Sequence, residues 1–203
     1  MAVLQVLLGL AYPVLIYLAL TVMEPRAVAI CVLLLLAARV AMTSPKRLLR
    51  YASALRLALL GVTVALLISA AWNDPVSLRA TPALVSFALL IAFAYSLTRS
   101  ESIIEGYARV VAGDLPEEER LYCRKVTLVW CVFFLLNGCA ALWLAMAGTL
   151  GQWALYTGGI AYVMMGILFT SEYLYRHWRF RRYFGALTDP VLRRIFPPRP
   201  TSR

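Results

Sequence analysis

Six long apolar runs separated by short polar segments constrain this chain more than any other feature. They occupy residues 2–23, 27–42, 57–72, 82–98, 126–147 and 152–175. No alternating period-2 pattern runs through them, so a membrane β-barrel is a poor fit and helices are expected. In a chain of 203 residues that is 62% hydrophobic and only 15% charged, one globular core cannot hide so much apolar surface. A soluble enzyme, a disordered chain and a disulfide-stapled secreted domain are excluded on the same ground. The expected fold class is an all-α polytopic membrane protein with six transmembrane helices, a short amphipathic cytoplasmic helix and a basic C-terminal tail. The second and third runs hold only about 16 residues each and would need flanking residues or a thinned bilayer to span.

Charge supplies the orientation. Lys and Arg number 20 against 10 Asp and Glu, a net charge of +10. Between runs two and three lie Arg39, Lys46, Arg47, Arg50 and Arg56, and between four and five lie Arg99, Arg109, Arg120, Arg124 and Lys125. The tail adds Arg176, Arg179, Arg181, Arg182, Arg193, Arg194, Arg199 and Arg203, leaving only Arg26 and Arg79 for the other side. The positive-inside rule then puts both termini in the cytoplasm. Nucleic acid is not an expected partner, because no recognition module accompanies the charge. The first run lacks a basic lead-in and a small-residue cleavage site, so it reads as a retained span rather than a signal peptide. The chain divides into a four-helix N-terminal membrane part (1–98), a cytoplasmic linker (99–125), a transmembrane hairpin of spans five and six (126–175) and a basic cytoplasmic tail (176–203).

In the linker, Ile103, Ile104, Tyr107, Val110 and Val111 recur at helical spacing, which predicts a short amphipathic helix ending at Gly113. Asp114, Pro116 and Glu117–Glu119 then mark a helix start, with acids at the positive end of the dipole, and predict one helix from about Pro116 to Ala147. That start accounts for the acids without a metal, and no metal or cofactor is expected. Cys31, Cys123, Cys131 and Cys139 form no CxxC pair and read as small core thiols. After Tyr175, arginines interleave with Trp178, Phe180, Tyr183 and Phe184, a short helix is predicted over residues 189–194, and residues 197–200 read as polyproline. Arg176, Arg179, Arg181 and Arg182 are candidate contacts for anionic lipid headgroups or a protein partner; topogenic charge with an aromatic belt remains the plainer account.

Polar groups inside the runs concentrate in the last two. Asn137 lies at mid-depth and needs a partner on another helix. Gly158, Tyr162, Gly166 and Thr170 recur every four residues, a stripe that admits a close neighbour or a lipid groove, and spans five and six are expected to be that pair. Trp130 belongs with them as a packing or groove candidate. Glu172, the only carboxylate inside a run, has Arg176 at i+4 as its expected ion-pair partner. No catalytic residue is assigned: there is one histidine, His177, no paired-Asp metal motif, no Walker-type loop and no Gly-x-Ser-x-Gly elbow.

Two stretches carry a resemblance. Arg124-Lys125-Val126-Thr127-Leu128-Val129-Trp130-Cys131-Val132-Phe133-Phe134 with Asn137-Gly138, and Trp153-Ala154-Leu155-Tyr156 with Gly158, Met165-Gly166, Phe169 and Glu172-Tyr173, resemble a poorly characterised family of bacterial inner-membrane proteins. Members of that family lie beside aryl-polyene or fatty-acid-like biosynthesis genes, and the same half distantly resembles the intracellular septation protein A family. The resemblance implies a multi-pass protein of the bacterial inner membrane. It further implies a non-catalytic role, assisting or scaffolding envelope-lipid metabolism or septation. Its expected partners are membrane lipids, with anionic headgroups at the cytoplasmic face, and an envelope or lipid-biosynthesis protein or a second copy of the chain. Two alternatives stay open. A small carrier or flippase for a lipid-like substrate would have a groove reaching Asn137 and Glu172. A subunit of a lipid-modifying enzyme would have a pocket where Glu172, Arg176 and His177 converge.

Overall fold

Residues that cannot continue a helix punctuate this chain. The computed structural model describes residues 15–41, 53–183 and 188–197. A helical segment at 15–22 is followed by α1 (Pro25–Ala41), with a proline at its first turn. Helix α2 (Ser53–Trp72) stops at Asn73, whose φ of 56° lies in the left-handed region. Asp74 caps the short α3 (Pro75–Arg79), its carboxylate accepting from the backbone N–H of Val76 (3.1 Å) and Ser77 (2.8 Å) and from the Ser77 hydroxyl. The Ser77 hydroxyl holds the Asp74 carboxyl below its usual range, with the two backbone donors and Arg79 adding to the effect against a smaller cost of burial.

Helix α4 (Thr81–Leu97) carries Pro82 in its first turn, and Ser102 caps α5 (Ile103–Ala112). Gly113, at φ 71°, turns the chain into α6 (Glu117–Ala147), which begins with three acids and is capped by Pro116. Thr149 and Gln152 form a reciprocal capping box that restarts the chain as α7 (Leu150–Phe180). Tyr156–Ile160 of α7 is a π-helical segment. Arg181 ends α7 in the left-handed conformation, and α8 (Asp189–Ile195) follows. The helix expected from about Pro116 to Ala147 is α6, and the short tail helix is α8.

The expectation of six transmembrane helices is corrected here. Among the described residues, two helices are long and apolar enough to cross a membrane, α6 and α7, each of 31 residues. The other apolar helical stretches, Pro25–Ala37, Leu59–Trp72 and Thr81–Leu97, are shorter. The reason is length: 17 residues of helix reach about 26 Å, short of a hydrocarbon layer of about 30 Å. Among the described residues the apolar runs coincide with helices, but two of those helices, not six, are long and apolar enough to span. The first run lies partly outside the described residues, as do Lys46, Arg47, Arg50, Phe184, Arg199 and Arg203.

The helices pack in series, α1 on α2, α2 on α4 and α4 on α6, with α5 laid across α4 and α6. The α4–α6 seam is the most extensive, and Gly138 makes it close: a Cβ there would sit 2.8 Å from the Phe87 ring. At one end, Arg26 donates to the last carbonyls of α2, Ala70 (2.9 Å) and Ala71 (3.0 Å), and Arg79 to Gly148 at the end of α6 (3.3 Å). The buried Trp153 indole donates to the Arg79 carbonyl (2.9 Å), beside a core of Ile16, Val28, Ala29, Leu66, Leu78 and Ala145. Both basic residues on this side therefore satisfy helix-end groups. At the opposite end Arg124 donates to the carbonyls of Leu97 (2.5 Å) and Arg99 (3.1 Å) below α4. Helix α7 stands apart. Only 11% of its apolar window is buried, against 44% for α6.

Candidate functional site: a cavity between α4, α5, α6 and α7

The gap beside α7 begins with ring size. Trp130 packs on Phe169 of α7 with centroids 4.6 Å apart, and Tyr122 stacks on Tyr175 at 5.5 Å and meets Phe180 edge-on at 5.3 Å. Large side chains at a helix contact hold the backbones apart. On one flank of this aromatic seam lies a cavity of about 730 Å³. Its floor is apolar, with Leu89 and Phe93 from α4, Trp130 and Phe134 from α6, and Met165 and Phe169 from α7. Ile104, Tyr107, Ala108 and Ala112 of α5 add a third apolar wall.

The mouth is polar. Glu119, Glu172, Tyr173, Arg176, His177, Arg182 and Asp189 line it. Arg176 donates to Glu172 Oε1 from Nε (2.8 Å) and Nη2 (2.6 Å), as the i,i+4 spacing predicted, and its guanidinium lies 3.9 Å and 4.0 Å from the buried Cys123 Sγ. Arg182 pairs with Glu119 at 2.9 Å. His177, 8% exposed, has Nδ1 2.8 Å from the Tyr173 carbonyl and its ring 4.3 Å from the Tyr173 ring. The tail closes around this mouth: the Tyr173 hydroxyl meets Thr188, and the Tyr183 hydroxyl donates to the carbonyls of Leu192 and Phe196. A second cavity of about 540 Å³ occupies the other flank of the seam, and Glu172 and Phe180 border both.

The candidate residues separate into those at the cavity and those elsewhere. Trp130 forms its wall; Glu172, Arg176 and Arg182 form its mouth. Asn137 is not there. Its amide donates to Ser86 of α4 (3.0 Å) and accepts from the Tyr156 hydroxyl of α7 (3.1 Å), so no groove links it to Glu172 in either cavity. Gly158 lies in the π segment, Tyr162 is half-buried, and Gly166 and Thr170 are exposed. A Cβ at Gly166 would meet nothing within 4 Å, whereas Gly138 is closely packed against α4.

The tail arginines have protein partners: Arg179 pairs with Glu118, Arg182 with Glu119, and Arg181 donates to the carbonyls of Trp178 (3.2 Å) and Pro197 (2.8 Å). The acids that start α6 thus also hold the tail. Two of the four cysteines, Cys123 and Cys131, are buried; Cys31 and Cys139 are exposed. Among the described residues no cluster of His, Cys, Asp or Glu could hold a metal.

Sequence reasoning missed Glu105. It is 1% exposed, and its Oε1 accepts from Arg109 (2.8 Å) and Arg120 (3.0 Å), fastening α5 to α6. Burial works to raise this carboxyl, but the hydrogen bonds from Arg120, then Arg109, outweigh it and hold it below its usual range. Because α5 turns Glu105 inward, its apolar Val110 faces out, 86% exposed, and Tyr107, which also borders the cavity, is 73% exposed. An amphipathic period in the sequence signals such a helix but not which face is buried. No protein-family model matches the chain, and no curated protein or solved structure matches it.

Proposed function

We propose that this chain is an integral membrane protein of the bacterial inner membrane that binds a lipid-like amphiphile in the α4–α7 cavity and thereby assists or scaffolds envelope-lipid metabolism without catalysing it. One observation carries the reading: a cavity of about 730 Å³ is walled by apolar residues of α4, α5, α6 and α7, and its charged lining residues all lie at one end. They sit on the first turn of α6, the last turns of α7 and the segment after it, and the start of α8. A long chain fits the floor and a polar head fits the mouth, an arrangement suited to amphiphiles and wasteful for a fully polar ligand.

The surroundings support a bilayer setting. Residues 126–147 of α6 carry no charge and extend about 32 Å, close to the hydrocarbon thickness. The outward apolar face of α5 suits the membrane interface. Exposed Trp143 and Trp72 near one end, and Tyr175 and Trp178 near the other, fit two aromatic belts. The basic end, where Arg193 and Arg194 are exposed, would face the anionic headgroups of the cytoplasmic leaflet. Aryl-polyene-type products and septation are the two envelope processes to which the resemblance points.

Filling the cavity tests this. Ala108 of α5 lines it, so Ala108→Phe should displace the occupant while leaving the α4–α6 seam intact. Native mass spectrometry of the detergent-solubilised protein should find a bound amphiphile on the wild type and lose most of it in the variant. Undiminished amphiphile on a folded Ala108→Phe protein would rule out this cavity as the site.

A further inference from the structure

We propose that the second cavity, on the other flank of the aromatic seam, seats a phospholipid whose phosphodiester head carries no compensating cation, and that Lys125 receives the phosphate. The proposal rests on the bilayer setting above and is independent of what fills the α4–α7 cavity. The second cavity, of about 540 Å³, is built from the facing sides of α6 and α7. Leu121, Lys125 and Val129 enter it from α6 at four-residue spacing, so one helix face carries the charge beside apolar side chains.

Charge selects the head. Four charged residues line this cavity: Glu118, Lys125, Glu172 and Arg179. Glu118 pairs with Arg179, and Glu172 pairs with Arg176 at 2.6 Å. Lys125 is exposed, and among the described residues no carboxylate pairs with it. With the other charges matched, one positive charge remains, and a phosphodiester brings one negative charge to meet it. A choline or ethanolamine head carries its own cation and gains less. The arginines after Tyr175 are poorer receivers: Arg176, Arg179 and Arg182 are held by carboxylates, and Arg181 by carbonyls.

Depth selects a lipid over a free phosphate. Lys125 immediately precedes residues 126–147, which carry no charge, so its ammonium sits where a headgroup meets hydrocarbon. Val129, Val132 and Leu136 follow on the same side of α6, and all three are exposed. Leu168 of α7 borders the start of this apolar stripe. From Lys125 to Leu136 the helix rises about 16 Å, close to the depth of one leaflet.

Native mass spectrometry of the full chain in detergent reads the preference, with equimolar phosphatidylglycerol and phosphatidylcholine of identical acyl chains. The wild type should hold about fivefold more phosphatidylglycerol, the margin one lysine supplies at an anionic surface. Lys125→Gln should bring the two lipids to parity while phosphatidylcholine occupancy persists, which shows that the groove survives. Lys125→Arg should keep the preference. Arg194→Gln removes an equal charge from the exposed side of α8 and should leave the preference unchanged, as should Ala108→Phe in the first cavity.

No preference in the wild type, or one that survives Lys125→Gln, overturns the proposal. So does a preference that Arg194→Gln weakens as much as Lys125→Gln, which assigns it to diffuse basic charge. A preference abolished by Ala108→Phe overturns the proposal while placing the anionic lipid in the α4–α7 cavity, so the amphiphile reading stands there.

Discussion

Glu105 shows how one side chain orients an element. A carboxylate buried on a helix that otherwise reads as a membrane-surface amphipath settles which face of α5 turns inward. Glu105→Gln keeps the volume but loses the charge that Arg109 and Arg120 hold. Both arginines are more than a third exposed, so solvent screening reduces the effect, and a loss of about 1–2 kcal/mol is expected rather than the larger cost of breaking a dry pair. The pH dependence follows from the direction of the shift. Glu105 has a folded-state pKa below its unfolded value, so its contribution is present in full above the unfolded carboxylate range and disappears as pH falls through the folded value. Thermal unfolding in detergent between pH 7 and pH 3 should show the wild type losing its advantage over Glu105→Gln on acidification. A constant gap across that range would mean the carboxylate's charge does not fasten α5. At this scale the sequence was legible where partners are close in the chain. The i,i+4 pair of Glu172 and Arg176 is readable from spacing. Glu118 with Arg179 and Glu119 with Arg182 are not, because more than sixty residues separate the partners and only the fold brings them together.

Among the elements, the α4–α6 seam and the α7 face make opposite demands on glycine. Gly138 allows the two helices to approach until the Phe87 ring occupies the space a Cβ would need. Gly138→Val should therefore force the ring or the helices to move, at a cost of about 1–3 kcal/mol. Gly166→Val, on the exposed face of α7, should stay within about 0.5 kcal/mol. Unfolding midpoints of the two variants in the same detergent make the comparison, and equal midpoints would show that the seam is looser than described. The four-residue stripe was visible in the sequence, but stripe spacing identifies a face without naming its neighbour. Asn137 illustrates the same limit. Its mid-depth amide announced a partner on another helix, and Tyr156 of α7 is one such partner, but Ser86 of α4 carried no signal strong enough to be chosen beforehand. A pocket where Glu172, Arg176 and His177 converge was expected only under the enzyme-subunit alternative, and all three do line the cavity. Its apolar part was not expected, because it exists where bulky rings hold α6 and α7 apart, and periodicity records contacts rather than gaps.

For the whole molecule, the bilayer setting proposed above predicts which side each end of α6 and α7 would face. Charge is distributed very unevenly between the ends. Arg26 and Arg79 are occupied by helix-end carbonyls at the α6–α7 turn end. At the other end lie Arg109, Arg120, Arg124, Lys125 and the tail arginines, and that concentration would keep it cytoplasmic. On that reading the turn at residues 148–151, without a charge, would be the part that crosses. Gly151 is a suitable reporter because a Cβ there meets nothing, and Arg194 on α8 is exposed at the basic end. In a background with all four cysteines replaced by serine, Gly151→Cys should react with a membrane-impermeant maleimide applied to spheroplasts. Arg194→Cys should react only after the membrane is permeabilised. Labelling of both from outside, or of Arg194→Cys alone, would place the basic end on the wrong side. In that event the cavity mouth could not take its amphiphile from the cytoplasmic leaflet, because the carboxylates, guanidiniums and His177 that line it would face the opposite compartment.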